Sequence, residues 1–376
     1  MFIPFTEDKT SERVPSLIRI LSKYFDLVGL KPLCRRRSIY YKNRIVYGII
    51  WILEWITERI IMILNGIKMG SRNFITLIFC EEPEYALVGF ILSKILRVPF
   101  IYDSHGNKYL QCIRLRNPLY YRLYITFLDI FLAKKCSVLL VVSEFDRRCY
   151  INQGVPPGKI YVIPSFIDLE KVKRAIMNPS TNIPIPKGKK TLLFFGNYNY
   201  EPNVEALRFI NNELAPAIDN IENVEIYICG RSPVPIEQLV GPLHRKVKYL
   251  GFVPDIYEVL NTVDAFICPI WTGVGIIVKV LDAMAVGKPI VGTKFLREGI
   301  PELNENNALL ARNKQEFIYL VRHLLEHYDE YKHMGQVLQN IIATRYSRDV
   351  IEKKLYFIIL HVIRDRLLKT KKFRKL

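Results

Sequence analysis

The 376-residue sequence is short of acid: 36 Asp and Glu stand against 54 Lys and Arg, a formal net charge of +18. An excess of this size points to anionic partners, whether nucleic acid, phosphorylated small molecules or an acidic membrane face, without choosing between them. Paired cysteines are also lacking. Seven cysteines lie at 34, 80, 112, 136, 149, 229 and 268, an odd number with no CxxC spacing. That argues against a disulfide framework or zinc knuckle and fits a reducing compartment. No Asp-x-Asp pair occurs, and 19 Gly with 21 Pro are ordinary amounts, which leaves collagen-like and low-complexity classes out. The opening MFIPFTEDKTSER has no basic segment followed by an apolar core, so no secretory signal is expected. An uninterrupted apolar run is missing too. The longest, Tyr47–Ile67, is broken by Glu54, Glu58 and Arg59, and each charge near mid-bilayer costs ~2.5–3.5 kcal/mol. It reads as a mostly buried amphipathic helix rather than a span, with a helix lying on a membrane as the lesser alternative.

What is present is alternation. Short apolar runs at Met1–Phe5, Phe25–Leu30, Phe74–Cys80, Pro99–Tyr102, Ser137–Ser143 and Lys159–Pro164 predict strands, separated by helical patterns such as Ser11–Tyr24 and Tyr85–Leu96. Residues 179–190 (PSTNIPIPKGKK) have the composition of a linker. The pattern then restarts with strands predicted at Thr191–Phe195, Val224–Cys229, Val247–Leu250, Ala265–Pro269 and Pro289–Thr293. Continuous apolar strands alternating with helices mean parallel sheets covered on both faces. The expected fold class is therefore α/β: two Rossmann-like doubly wound domains, 1–178 and 191–346, facing a cleft, with ligand at the strand C-terminal ends. Residues 347–376 are expected to form a helix and basic tail packing back on the first domain. Residues 364–376 hold seven Lys/Arg and one Asp, a polybasic stretch suited to anionic lipid.

The segment Pro269–Thr293 (PIWTGVGIIVKVLDAMAVGKPIVGT) is the most informative. Gly273 and Gly275 allow the backbone close to a ligand. A helix beginning near Ile277 offers free N–H groups and a positive dipole end, which suit a phosphate. Lys279 adds charge there, and Asp282, three residues on along the same face, can accept hydrogen bonds from ribose hydroxyls. In the first domain, a strand ends on Asp103-Ser104-His105-Gly106, placing His105 where ligands bind in such sheets. His323, Glu326 and His327 spell an inverted zinc-protease pattern, for which an exposed helix face is the ordinary reading.

Taken together, these residues resemble the retaining GT-B glycosyltransferases of family 4 (glycosyltransferase group 1), in the branch reading P-x-x-x-G-x-G-x-x-x-K-V-L-E-A-M-A-x-G-K-P-V-V. LLFFGNYNYEPNVEALRFI, IYICGR, VKYLGFVPDIYEVLNTVDAFICP, IYVIPSFIDLEKV, IYDSHG and TRYS are similar to further family segments in the same order. The resemblance implies transfer of a sugar from a nucleotide sugar with retained anomeric configuration and no metal. By resemblance, His105 and Lys279 would be catalytic. Donor binding would fall to Gly196, Asn197, Gly230, Arg231, Phe252, Val253, Gly275, Ile276, Ile277, Val278 and Asp282. Arg13 stands on the acceptor side, in a stretch (Thr10-Ser11-Glu12-Arg13) that replaces the family's glycine-rich first loop. Val274 stands where many members carry a first Glu, and Asn197, Tyr198 and Asn203 where they carry Arg and Lys.

The expected partners are a UDP- or GDP-sugar, a glycan or lipid-linked saccharide acceptor and an anionic membrane surface, with no cofactor. The expected location is the cytoplasm, peripheral on the inner face of the cell membrane. Two alternatives are a nucleotide-sugar epimerase or phosphorylase on the same fold and a basic nucleic-acid-binding protein. The second would need stacking aromatics interleaved with basic residues on one face; the basic excess is instead spread over loops and the tail, so no nucleic acid is expected.

Overall fold

The computed structural model describes residues 2–4, 13–30, 44–179, 185–186 and 188–373. Met1, Phe5, Thr10-Ser11-Glu12, the basic loop Arg35-Arg36-Arg37, half of the 179–190 stretch and tail residues 374–376 lie outside them. The chain divides into two compact units: Met1–Ile163 with Glu352–Leu376, and Pro164–Ile351. The division falls at Ile163/Pro164, before the boundary expected at 178. Pro164–Met177 belongs with the second unit because its backbone is bonded there. Ile167 N donates to Tyr346 O at 2.8 Å, Arg348 N donates to Ile167 O at 2.9 Å, and the Arg348 guanidinium reaches Asp168 at 2.9 Å.

In the first unit, β1 (Phe2–Pro4), β2 (Val28–Leu30), β3 (Ile78–Glu81), β4 (Phe100–Ser104), β5 (Val138–Val141) and β6 (Ile160–Val162) form a parallel sheet in the order β2-β1-β3-β4-β5-β6. Both faces of β3, β4 and β5 are buried, which is why these strands read as unbroken apolar runs. The helices are α1 (Arg13–Leu21), α2 (Arg44–Arg72), α3 (Glu82–Leu96), α4 (Lys108–Arg114), α5 (Leu119–Lys135) and α6 (Glu144–Asn152).

The Tyr47–Ile67 run lies inside α2 but is not mostly buried. Met62 and Arg59 are buried, while Leu53, Ile56, Ile60 and Leu64 are exposed. Its packed stripe includes Gly66, where an added Cβ would lie 2.5 Å from Leu92 of α3. A helix apolar around most of its circumference can press only one stripe against such a neighbour. Among the described residues, no helix is long and apolar enough to cross a membrane.

In the second unit, β7 (Lys190–Phe195), β8 (Val224–Cys229), β9 (Val247–Gly251), β10 (Ala265–Cys268), β11 (Ile290–Thr293) and β12 (Leu309–Ala311) form a second parallel sheet, ordered β12-β11-β10-β7-β8-β9. β12 is a strand beyond those expected. It is only three residues long and owes its place to pairing with β11. The helices are α7 (Leu169–Met177), α8 (Glu201–Phe209), α9 (Ala215–Ala217), α10 (Ile236–Val240), α11 (Ile256–Thr262), α12 (Val278–Val286), α13 (Lys314–Glu326) and α14 (Tyr328–Ile341).

The last helix, α15 (Arg348–Phe373), begins in the second unit and continues in the first. Within the first unit, Glu352 accepts from Lys23 at 2.8 Å and Tyr24 at 2.7 Å, Tyr24 and Tyr356 rings lie 4.6 Å apart, and Arg366 donates to Thr76 O at 2.8 Å.

Candidate functional site

Strand order locates the crevice in the second unit. From β7 the chain proceeds outward through β8 and β9, then returns to place β10 on the other side of β7. The order reverses between β7 and β10, and ligands of open α/β sheets bind outside the carboxyl ends of the strands at such a point. Gly196 follows β7 there, and the Pro269–Ile277 loop follows β10.

Lys279 and Gly196 meet at this point. A Cβ added at Gly196 would lie 2.7 Å from Lys279 Nζ and 2.9 Å from Asn203, so a side chain there would have to displace that ammonium. Lys279 Nζ donates to Asn203 Oδ1 at 2.6 Å and stands 4.5 Å from the centroid of the Phe194 ring. Withdrawal from water lowers its pKa to about 8, against the opposing influence of Cys268 and Asp282. A cation held this way is poised to gain from an incoming phosphate. α12 begins at Val278 with Ile277 as its N-cap, and no side chain caps its first N–H groups. Those groups have the orientation and partial charge that favour an anion.

Asp282 lies one turn further on. Its Oδ1 accepts from Tyr257 Oη of α11 at 2.8 Å. Tyr257 is a residue the sequence reading missed. Its only local signal is Asp255, which caps α11 by accepting from Tyr257 N at 3.0 Å.

Gly230 follows β8 with φ +141°, and a Cβ there would fall 1.8 Å from Gly196 O. The two turns are thus in backbone contact. Tyr249 donates to Gly230 O at 2.7 Å and fixes the crossing. Beside it the Arg231 guanidinium lies 4.3 Å over the ring of Phe252, which is itself 57% exposed. Asn197 accepts from Asn203 through its backbone oxygen at 2.8 Å. Ile276, Ile277 and Val253 pack side chains against the core, leaving their backbone groups as what they can offer a ligand; Val278 is exposed. Gly275 has φ +69° and is held by Gly299, whose own Cβ would lie 2.6 Å from Gly275 O.

A second cluster lies in the first unit, around the end of β4. Arg13 donates to both oxygens of Asp103, at 3.0 and 2.8 Å, and to Ile163 O at 2.9 Å. Both side chains are buried. Arg13, expected on the acceptor side, holds its guanidinium in this ion pair. His105 Nε2 is 3.5 Å from Asp103 and 3.8 Å from Glu81, and its Nδ1 is 3.4 Å from Glu82. Burial would lower the imidazole pKa, but Asp103 and Glu82 raise it. Burial would also raise Asp103, but Arg13 and His105 hold it at about 2. Glu81, desolvated and beside Asp103, is pushed up to about 8. Glu82 pairs with Lys108 and adopts φ +51°, a left-handed conformation unusual for a residue with a side chain.

The turn after His105 is pinned by Asn107 N donating to Asp146 at 3.0 Å and by the Ser104–Tyr150 hydroxyl contact at 2.8 Å. Glu81, Asp103 and His105 bring ligand-type atoms within 4.8 Å of one another. Both Asp103 oxygens already accept from Arg13, so the set is an ion-pair network. His323 and His327 stack their rings at 4.4 Å, and His323 Nδ1 shares a hydrogen bond with Tyr331 Oη at 3.0 Å; His327 lies past the end of α13.

Known proteins bear on this geometry. Residues 189–327 match the family model described as Glycosyl transferases group 1, and residues 38–171 match Glycosyltransferase Family 4. A curated relative, the UDP-Gal:alpha-D-GlcNAc-diphosphoundecaprenol alpha-1,3-galactosyltransferase of Escherichia coli, is 26% identical over 267 residues, covering 67% of this chain. The match spans 64% of that relative's length. Anabaena Alr3699/HepE, solved in complex with UDP, superposes with a TM-score of 0.69 at 16% identity, covering 96% of this chain and 100% of that one. Sucrose-phosphate synthase from Thermosynechococcus elongatus gives a TM-score of 0.74 at 13% identity, with 97% and 100% covered. The two parallel-sheet Rossmann-like units have the GT-B fold, and each carries a segment matching a glycosyltransferase domain.

Proposed function

We propose that this chain, a glycosyltransferase by its domains and fold, moves a hexosyl group from a UDP-sugar to a saccharide carried on a lipid diphosphate, with retention at the anomeric carbon. The observation that carries the reading is the Lys279–Asp282 pair on the first turns of α12, at the strand-order reversal of the second unit. Support for the donor and acceptor classes comes from HepE, solved with UDP, and from the curated relative's lipid-linked acceptor.

In this reading the donor diphosphate lies against the first N–H groups of α12 and Lys279, and Asp282 accepts from the ribose. The Gly196, Gly230 and Gly275 turns admit the donor backbone-first. Arg231, Asn197, Phe252 and Val253 border the base and diphosphate. During transfer the bond from the anomeric carbon to the β-phosphate oxygen breaks, and its electron pair leaves with UDP. The acceptor oxygen forms the new bond on the same face and loses its proton to the departing phosphate or to water. Fixed positive charge is worth most where negative charge grows, on the leaving diphosphate. His105, held by Asp103 at the end of β4, is a positioning group of the first unit. The reaction proceeds without metal, and the chain works at the cytoplasmic face of the membrane. The charge of +18 and the polybasic 364–376 segment support that location.

A thermal-shift series with UDP, GDP and ADP and their sugars reads the donor class through ligand-linked stabilisation. UDP ligands are expected to stabilise most. With a lipid-diphosphate saccharide acceptor, the product linkage is expected to keep the donor configuration, in EDTA as in its absence. Complete loss in EDTA with recovery on Mg²⁺ or Mn²⁺ would remove the metal-free mechanism. Donor turnover without acceptor, giving an epimer or a sugar phosphate, would favour the epimerase or phosphorylase.

A further inference from the structure

The outer faces of α2 and α5 in the first unit carry large apolar side chains standing in water. On α5 these are Leu119, Tyr120 (76% exposed), Leu123, Tyr124 and Phe127 (73%), spaced along one side of the helix. On α2, Leu53, Ile56, Ile60 and Leu64 are exposed from 42% to 59%. α2 meets α5 through its packed side, where Trp55 stands edge-on to Tyr124 at 6.4 Å. Each helix has already met its obligation to the core on another side, through Met62 on α2 and Ile125, Leu128 and Leu132 on α5. On α5 the exposed ridge Leu119–Phe127 is therefore an apolar stripe apart from the side that faces the core. Contiguous surfaces of this kind mark an interaction site.

The surroundings of the stripe identify its occupant. Phe127 stacks on Phe131 at 6.1 Å, and Phe131 meets Phe90 edge-on at 5.4 Å. Lys135 lies 5.9 Å over the ring of Phe131 and Lys94 5.6 Å over that of Phe90. The ridge thus leads, ring by ring, to two ammonium groups whose stems rest on apolar surface while their heads reach outward. At the other end, Arg116 precedes α5 and Arg122 lies in its first turn. Of the acids on α2, Glu58 is paired with Arg59, and Glu54 is exposed. Tyr, Trp and Phe flanked by Lys and Arg is the composition of a helix lying in the headgroup region. A second copy seated on the same face would set these cations against their own equivalents, in a chain already at +18.

We infer that the exposed ridge of α5 docks on the anionic surface of a lipid bilayer. The inference rests on the proposed lipid-linked acceptor and deepens it by naming the surface through which the enzyme reaches that acceptor.

The test is flotation of the full chain with phosphatidylcholine vesicles, with and without phosphatidylglycerol, at low salt. The wild type is expected to float with the anionic vesicles. The variant carrying Leu119→Ser, Leu123→Ser and Phe127→Ser is expected to lose partitioning by roughly tenfold or more. Lys94→Glu with Lys135→Glu should weaken binding to the anionic vesicles alone. The UDP-induced thermal shift, read on the same samples, reports donor binding and should match wild type in every variant. No shift in the wild type would sink the UDP reading while leaving the docking test intact. A wild type that stays with the soluble fraction, or a triple-serine variant that floats like wild type, overturns the docking surface. So does a wild-type dimer in solution that the three serines convert to a monomer, which would assign the face to a second copy.

Discussion

Lys279 donates to Asn203 Oδ1 at 2.6 Å directly above Gly196, so the ammonium is held in place by a neutral partner. A carboxylate there would have neutralised it; an amide orients it and leaves its charge for a ligand. In the proposed mechanism Lys279 faces charge that grows as the glycosidic bond breaks, so Lys279→Ala is expected to lower kcat by about 10²–10³. Asn203→Ala should cost less, since it disturbs orientation alone. With a pKa of about 8, the empty-site ammonium is present below that pH and lost above it. Donor affinity should accordingly fall as pH rises through about 8, and the fall should vanish in Lys279→Ala. Steady-state kinetics and a pH series of UDP titrations check both parts. A folded Lys279→Ala enzyme with normal kcat would leave the leaving group to backbone amides.

Asp282 and Tyr257 form the second test. In the proposed mechanism Asp282 acts on the ribose in ground state and transition state alike, so its loss should appear in KM. A hydrogen bond to a charged group is worth ~1.5–3 kcal/mol, which sets the scale for Asp282→Ala. Tyr257→Phe deletes only the 2.8 Å bond that orients the carboxylate and should raise donor KM by about two- to tenfold with kcat little changed. A kcat effect larger than the KM effect in either variant would place the residue closer to the reacting bond than proposed here.

The second unit was the more legible half of the sequence, for physical reasons. β8, β10 and β11 are buried over nearly their whole length and β7, β8 and β9 end at or just before a glycine, so apolar runs and punctuation agree there; Lys279 and Asp282 share a helix face, which their spacing alone shows. Tyr257 was out of reach because it comes from another helix. The Arg13–Asp103 pair spans ninety positions, and no local pattern announces it. The boundary at Ile163/Pro164 depends on backbone bonds from Ile167 to Tyr346. The exposed ridge of α2 was misread as core because apolar periodicity shows that a face is greasy and not what covers it.

Gly230 tests whether the two turns must touch. With φ +141° and Gly196 O at 1.8 Å from an added Cβ, Gly230→Ala has to displace backbone. Strain at such positions costs of order 1–3 kcal/mol before steric overlap is counted. Gly241 offers a control, since it also has positive φ (+84°) but nothing within 4 Å of an added Cβ. Thermal denaturation should show Gly230→Ala losing clearly more stability than Gly241→Ala, together with weakened UDP binding. Equal losses would mean that the close approach to Gly196 carries no weight.

The last prediction concerns pH and the cluster around β4. Glu81 is raised from 4.5 to about 8, chiefly by desolvation and then by Asp103. Its neutral form is favoured in the folded state, so its contribution to stability is full below pH 4.5 and is lost as pH rises through about 8. His105, also raised, contributes in the same direction. Asp103, depressed from 3.8 to about 2, contributes above 3.8 and loses that contribution as pH falls through about 2. Arg13 and Glu82 complete the charged groups acting on Glu81. Linkage then predicts that the first unit is most stable near pH 4–5 as far as this cluster is concerned, and that it weakens toward alkaline pH. Glu81→Gln cannot ionise and should flatten the decline between pH 5 and 8, leaving only the smaller His105 slope. Arg13→Ala should be severe at every pH above 4, since removing one partner of a buried ion pair costs about 3–5 kcal/mol. Denaturant unfolding of wild type, Glu81→Gln and Arg13→Ala across pH 4–9 measures all three. A Glu81→Gln profile parallel to wild type would show that the carboxyl at 81 is already ionised in the folded protein, and that it joins Asp103 and Glu82 as an anionic neighbour of His105.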